Sequence, residues 1–556
     1  MGSSVFRKRM GFALTGLAAV TLLAACGGGS TGSGDSGKGE SAGTDDSGKF
    51  KNEVTLKIPV YDRGVEGVPT VNDNYWTKYV QENFGDENNI KVEYVPINRQ
   101  DVMTDYSLLA SSKDLPTILM EYDYPKLSQW ANEGYLATFD MDDFKAVAPT
   151  YFAQMENEGQ MDFTEMNGET YFALAKRPNW DKSFGFQQFY RKDWLEQVGV
   201  DEYPTTYAGW KDAMLKIQEA GIAKYPAGGG MIPGQGADQP WGFLQQPINE
   251  KEWAGYVSMV IPALGFDPAY NLLKRENEKY DLEITNPEYY ITDAATQEAQ
   301  FANGETFVYG GYISPDMPWL KSFYENNPDA ELGVVPVAEN DPEGGTTATY
   351  RADNPFGMIV GFASTASEDE IKAAWMYMEW MSQKENLDVM QWGVEGETYT
   401  VNAETGFPEL VADYSGDKKQ GYNSNIDYWC IVTADKEVGE LKDMIAAKTP
   451  RGIPQDFTED IIAIANRMGE LSKEGYATNA PTYTVPIEAE SEYSGTLTEL
   501  YKELRDKLVM ADPKDFDKLY EESTKKYEDA GYKAVVEERT KAYEEGNSTK
   551  LLGKME

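Results

Sequence analysis

Val54-Thr55-Leu56-Lys57-Ile58-Pro59-Val60 and Ile90-Lys91-Val92-Glu93-Tyr94-Val95-Pro96 decide how this chain folds. Both runs are short and rich in β-branched residues, and Thr117-Ile118-Leu119-Met120 follows with the same character. Helical patterns lie between and after them, around 72–84 and 101–111. Strands alternating with helices predict α/β layers over a largely parallel sheet. The stretch 51–556 is too long for one ordinary domain, so at least two lobes are expected.

Upstream of these strands the chain changes character. Arg7, Lys8 and Arg9 precede an uncharged apolar run over 11–25 that ends in Leu23-Ala24-Ala25-Cys26. The run is shorter than the roughly 20 residues of a membrane span and suits the core of a secretory signal. Its end looks like a lipobox, with cleavage before Cys26 and fatty acylation (palmitate among the acyl chains) of that thiol. Residues 27–49 are nearly all Gly, Ser, Thr, Asp and Lys, too polar to offset their ordering entropy, and are expected to form a disordered tether. The reading is therefore a signal peptide over 1–25 and an acylated tether over 26–50. No later stretch approaches membrane-spanning length.

Composition excludes several function classes. The net charge of −43, from 50 basic and 93 acidic residues, repels phosphate backbones and disfavours nucleic acid. Histidine is absent, which removes His-based triads and the commonest zinc ligand. With Cys26 acylated, Cys430 has no partner for a disulfide. Asp140, Asp142 and Asp143 are the one acidic group considered for calcium; they lack a loop pattern, and a solvated helix start explains them better. No cofactor is expected.

Downstream, Thr205 or Thr206 can cap a helix over 205–220, with Trp210, Ala213, Met214 and Ile217 on one face and Gly221 as a stop. Ile371, Ala374, Trp375, Met378 and Met381 form a second stripe within 368–383. Leu497, Leu500, Tyr501, Leu504 and Leu508, then Phe516, Leu519 and Tyr520, continue the pattern near the C-terminus. These stripes are expected to pack into cores.

Several phrases resemble family 1 of the bacterial extracellular solute-binding proteins, especially the long LplA-like lipoproteins of Gram-positive bacteria. Lys113-Asp114-Leu115-Pro116-Thr117-Ile118 resembles the family's "DLPDI". Glu133-Gly134-Tyr135-Leu136 resembles "GYL", and Asn167-Gly168-Glu169-Thr170-Tyr171 resembles "NGKxY". Tyr190-Arg191-Lys192-Asp193-Trp194-Leu195 with Pro204-Thr205-Thr206 resembles "YRKDWLxxLG…PTT" and is the most specific. Asn303-Gly304-Glu305, the segment 392–399 around Gly396 and the helical C-terminal tail also fit, whereas 225–250 matches no family phrase.

The resemblance implies a two-lobed periplasmic-binding-protein-like α/β fold. Its lobes, joined by crossing strands near 178–190 and 345–358, hold a solute in the cleft between them. It places 51–178 plus 355–400 in the first lobe, and 186–345 plus 401–556, with the C-terminal helices, in the second. The implied role is capture of a saccharide for the permease subunits of an ABC importer, by a monomer tethered outside the cell membrane through its lipid alone.

A saccharide site needs aromatic faces for the ring C–H groups and fixed polar side chains for the hydroxyls. Ligands in open α/β sheets lie beyond the carboxyl ends of strands. That rule selects Tyr61, Asp62 and Arg63 after strand 54–60, and Glu121, Tyr122 and Asp123 after strand 117–120. An ordinary polar turn, with Asp62 paired to Arg63, fits the first group equally well. Trp180 and Lys182 lie by the first crossing, and Arg351 and Asn354 by the return. Tyr309 and Tyr312 flank Gly310-Gly311 at a strand end, and Trp241 sits in the unmatched segment. Trp392 and Glu395 complete the set, although lobe-surface packing explains them somewhat better.

Two other readings stay open on the sequence. A glycoside hydrolase or lyase needs two carboxylates at a fixed separation, which 93 acidic residues cannot test. A binding protein for a non-sugar solute such as a short peptide is the other.

Overall fold

The computed structural model describes residues 41–63, 70–99, 101–182, 185–204, 206–228, 248–258, 260–313, 318–335, 350–403, 406–411, 414–418, 427–449 and 455–555. Strands β1 (Val54–Asp62) and β2 (Ile90–Asn98) pair in parallel, from Val54 opposite Ile90 to Asp62 opposite Asn98. β3 (Ile118–Glu121) lies beside β1, but no ladder joins them: the Lys57 amide donates to the Thr117 hydroxyl at 3.2 Å. Pro59 has the same parity as Lys57, so the N–H that would face β3 is missing there.

The sheet is less parallel than expected. Strand Phe356–Phe362 runs antiparallel between β3 and strand Ala173–Lys176, and strand Phe186–Arg191 runs antiparallel between Val308–Tyr312 and Leu332–Val334. The central strand of each sheet pairs with segments distant in sequence, so their directions need not follow the β-α-β handedness of local crossovers.

The helices behave as their stripes predict. Thr206 caps Tyr207–Glu219 by accepting from the Gly209 amide, and Ala213, Met214 and Ile217 are buried, with Gly221 at φ +71° ending the element. Ser367 and Glu370 form a reciprocal capping box at the start of Glu368–Ser382, whose Ala374, Trp375, Met378 and Met381 are buried. Asp140 caps Met141–Val147 through the amides of Asp142 and Asp143, so this acidic run is a helix start.

One large core gathers residues Phe50 to Ala175, Phe356 to Met390 and Tyr428 to Val432. Two further cores lie on opposite faces of strand Phe186–Arg191: Phe189 packs with Phe301, Trp319, Phe323 and Phe457, while Tyr190 packs with Trp194, Ile217 and Phe307. A fourth joins Ile248–Tyr289 to the C-terminal helices Glu488–Val509, Phe516–Tyr527 and Lys533–Glu544. Tyr428–Val432 thus packs with the first core, whereas the sequence division assigns 401–556 to the second lobe.

Three segments lie side by side between the first core and the next. The Lys176 amide donates to Val432 O at 2.9 Å, Ala434 to Lys176 O at 2.7 Å, and Asp353 to Trp180 O at 3.1 Å. Gly357 makes this possible, since a Cβ there would sit 2.6 Å from Ala434 Cβ. The crossings expected near 178–190 and 345–358 overlap two of these segments, and the sequence predicts none at 432–436.

The expected tether ends earlier than residue 50. Phe50 is 2% exposed within the first core, Thr44 bridges to it, and the Ala42 amide donates to Asp369 Oδ2 at 2.6 Å. Phe50 carries enough apolar area to order the short stretch before it. Cys26 lies outside the described residues. Among the described residues, no helix is long and apolar enough to cross a membrane, and no group of acidic or cysteine residues is placed to hold a metal ion.

Candidate functional site

The carboxyl ends of β1, β2 and β3 bring one cluster together. Tyr61, 1% exposed, donates its hydroxyl to Met120 O at 3.3 Å, which pins its ring at the end of β1. The Arg99 guanidinium stacks 4.8 Å from that ring centroid and 5.8 Å from that of Tyr122, and Arg63 lies 5.4 Å from Tyr61. Tyr61 is therefore a platform for two guanidinium groups rather than a face open to solvent. Arg63 pairs with Asp427 at 2.7 Å, not with Asp62, whose side chain is exposed.

Glu121 and Asp123 form the acidic half of the cluster. Glu121 is 1% exposed; its Oε1 accepts from the Tyr122 amide at 2.7 Å and stands 3.9 Å from Arg99. Lys126 reaches both carboxylates, at 3.8 Å from Glu121 and 3.4 Å from Asp123. Glu121 Oε2 and Asp123 Oδ1 are nevertheless buried without any hydrogen-bond donor. Burial raises the pKa of Asp123 against the pull of Lys126, and the charges of Glu121 and Glu490 add to the rise. Burial likewise raises Asp427, with Arg63 opposing it, and raises the Tyr122 phenol.

The cluster continues to the crossing segments. Arg177, whose charge acts on Tyr122, pairs with Asp353 at 3.0 Å, and Trp180 and Asn354 stand half-buried beside that pair in the chain. Lys182 Nζ turns back to Asn179 Oδ1 at 3.2 Å, and its stem lies against Gly469.

Other candidates are not part of this group. Tyr309 donates to Glu298 at 3.0 Å, and its ring packs on Phe301 and Trp319. The space at Gly311 is filled by Tyr309 and Trp319, so that glycine serves the protein's own packing. Trp392 is a core residue, 2% exposed, which corrects its place among the candidates, while Glu395 is exposed. Trp241 lies outside the described residues, as do the side chains of Tyr312 and Arg351.

Sequence reasoning missed Arg99, Lys126, Arg177, Asp353 and Asp427. Arg99 directly follows β2, so the rule that selected Tyr61 could have found it. Asp427 carried no local signal. Together these groups offer guanidinium planes, a half-buried indole and charge-assisted acceptors, a set suited to holding a polar, uncharged or weakly charged solute.

The fold is that of the two-lobed binding proteins. The match to the model of the bacterial extracellular solute-binding proteins spans residues 68–387, and the chain belongs to that family. Solved structures agree on the fold. The alginate-binding protein AlgQ2 superposes with a TM-score of 0.58 at 14% identity, over 89% of this chain and 99% of that one. An extracellular solute-binding protein from Bifidobacterium longum subsp. infantis gives 0.57 at 14%, over 91% and 100%. The N-glycan transport protein NgtS from Streptococcus pneumoniae gives 0.55 at 13%, over 89% and 99%. No curated protein matches the sequence at a significant level.

Proposed function

We propose that this chain captures an oligosaccharide between two lobes and delivers it, without chemical change, to the permease of an ABC importer. The observation that carries the reading is the cluster of Arg99, Arg63, Glu121 and Asp123 on the Tyr61 and Tyr122 platform at the strand ends. Alginate binding by AlgQ2 and the N-glycan transport role of NgtS support a saccharide as the solute. The protein acts as a monomer, held outside the membrane by acylated Cys26.

In this reading the first lobe is 42–176 with 356–390 and 428–434, and the second holds the remaining described cores. The three hydrogen-bonded segments at 176–182, 351–356 and 432–436 are the hinge. A ligand touching both lobes prefers the closed form, and only that difference in affinity drives closure. Titration calorimetry against an oligosaccharide panel tests capture, and chromatography of the recovered sugar tests turnover. Saturable binding with intact sugar is expected; cleaved products indicate an enzyme, and binding only to peptides removes the saccharide.

A further inference from the structure

The inference rests on the proposed saccharide site and concerns which saccharides it admits. Each cation of the cluster already has a carboxylate within ion-pair distance. Arg63 has Asp427 at 2.7 Å, Arg177 has Asp353 at 3.0 Å, Lys126 has Asp123 at 3.4 Å and Arg99 has Glu121 at 3.9 Å. Two acceptors nevertheless lack a donor at hydrogen-bond distance: Glu121 Oε2, with the Lys126 ammonium 3.8 Å away, and Asp123 Oδ1 are buried and accept no hydrogen bond. A buried acceptor without a donor is costly, so a group that supplies one gains both the bond and the relief of that cost.

We infer that Glu121 and Asp123 select a neutral, hydroxyl-rich saccharide and exclude its uronate counterpart. A sugar hydroxyl can donate to either orphaned oxygen, and vicinal hydroxyls can donate to both. A uronate carboxylate has no proton to give at neutral pH, and the nearest cations, Arg99 and Lys126, already face Glu121 and Asp123. The charge of −43 on the whole chain repels anionic ligands at longer range. Glu121 is 1% exposed, so a hydroxyl reaches it only if the packing around it opens.

The test uses pairs of oligosaccharides that differ only at C6, glucose-, mannose- and galactose-based chains against the matching oligouronates, titrated into the full soluble domain by calorimetry. The neutral member of a pair is expected to bind and the uronate to bind at least about 10-fold more weakly. Asp123→Asn keeps the shape and removes one charge. It is expected to weaken the neutral sugar by about 10- to 100-fold and to narrow the gap to the uronate. Glu121→Gln is the second variant, and thermal melting confirms that each is folded. Equal or tighter binding of uronates overturns the inference while leaving saccharide capture standing. Selectivity unchanged in both folded variants also overturns it. Failure of every saccharide to bind sinks the capture reading itself.

Discussion

Arg63 and Asp427, 364 residues apart in sequence, meet at 2.7 Å with only 13% and 6% of their side chains exposed. The pair ties the carboxyl end of β1 to the 3-10 turn Tyr428–Ile431, and so holds the late return of the chain against the first core. Asp427→Ala takes the carboxylate at 2.7 Å away from a largely buried guanidinium and is expected to cost about 3–5 kcal/mol, read by chemical denaturation. Replacing both residues together by Met and Leu should recover most of that loss. A single mutant as stable as the parent would show that the pair bears no weight.

Phe50 anchors the segment that precedes β1. Its ring is 2% exposed, so Phe50→Ala is expected to destabilise by about 3–5 kcal/mol through the cavity it leaves. Limited proteolysis should leave 42–50 intact in the parent and cut within it in the variant. Identical digestion patterns would contradict the docking of this stretch.

Trp180 and Trp392 are expected to respond in opposite ways. Trp180 is half-buried and its carbonyl accepts from the Asp353 amide, so Trp180→Ala should weaken sugar binding by about 1–3 kcal/mol with a small change in melting temperature. Trp392, at 2% exposure, should lose stability when truncated, by about 3–5 kcal/mol, with affinity retained in the folded fraction. Calorimetry beside thermal melting separates the two.

The pH dependence of binding follows from Asp123, whose burial lifts its pKa above 3.8. As an acceptor it must be ionised, so affinity is present above the raised pKa and falls as pH drops through it. The loss should therefore begin at a higher pH than an exposed aspartate would give. The unliganded protein should respond in reverse. Its folded state takes up a proton that the unfolded state does not, so stability rises as pH falls through the same window. Asp123→Asn should flatten both profiles, and titrations stepped from about pH 7 to about pH 4 provide the measurement.

Gly357 lets the crossing segments lie against each other, since a Cβ there would stand 2.6 Å from Ala434 Cβ. Small-angle scattering of the parent should show a smaller radius of gyration once sugar is bound. Gly357→Val should abolish that change, because neither neighbour can yield without parting the hydrogen bonds between Lys176 and Val432 or Ala434. An unchanged radius in the parent with a confirmed ligand leaves a rigid receptor.

Much of the local structure was legible without coordinates. β1, β2 and β3, the capped helix at Tyr207–Glu219 and the buried stripe of Glu368–Ser382 all fall where the sequence predicts them. Period, caps and turn residues act over one or two turns of chain, so a single sequence contains them. The strand-end rule also found Tyr61, Arg63, Glu121 and Asp123, because a parallel βα unit leaves its ligand edge at a position set by local topology.

The amino-acid sequence by itself therefore determined the element types, the α/β class and the family, and pointed to half of the candidate site, since each depends on patterns carried by neighbouring residues. Tertiary structure alone decided which partners those residues have. Arg63 pairs with Asp427 and not with adjacent Asp62, Trp392 is sealed in a core, and Phe50 is docked where a tether was expected. It alone placed the 432–436 segment against Lys176 and left Glu121 Oε2 without a donor. Such contacts join segments hundreds of residues apart. Burial and low dielectric act on whichever groups the packed chain brings together, regardless of their order along it.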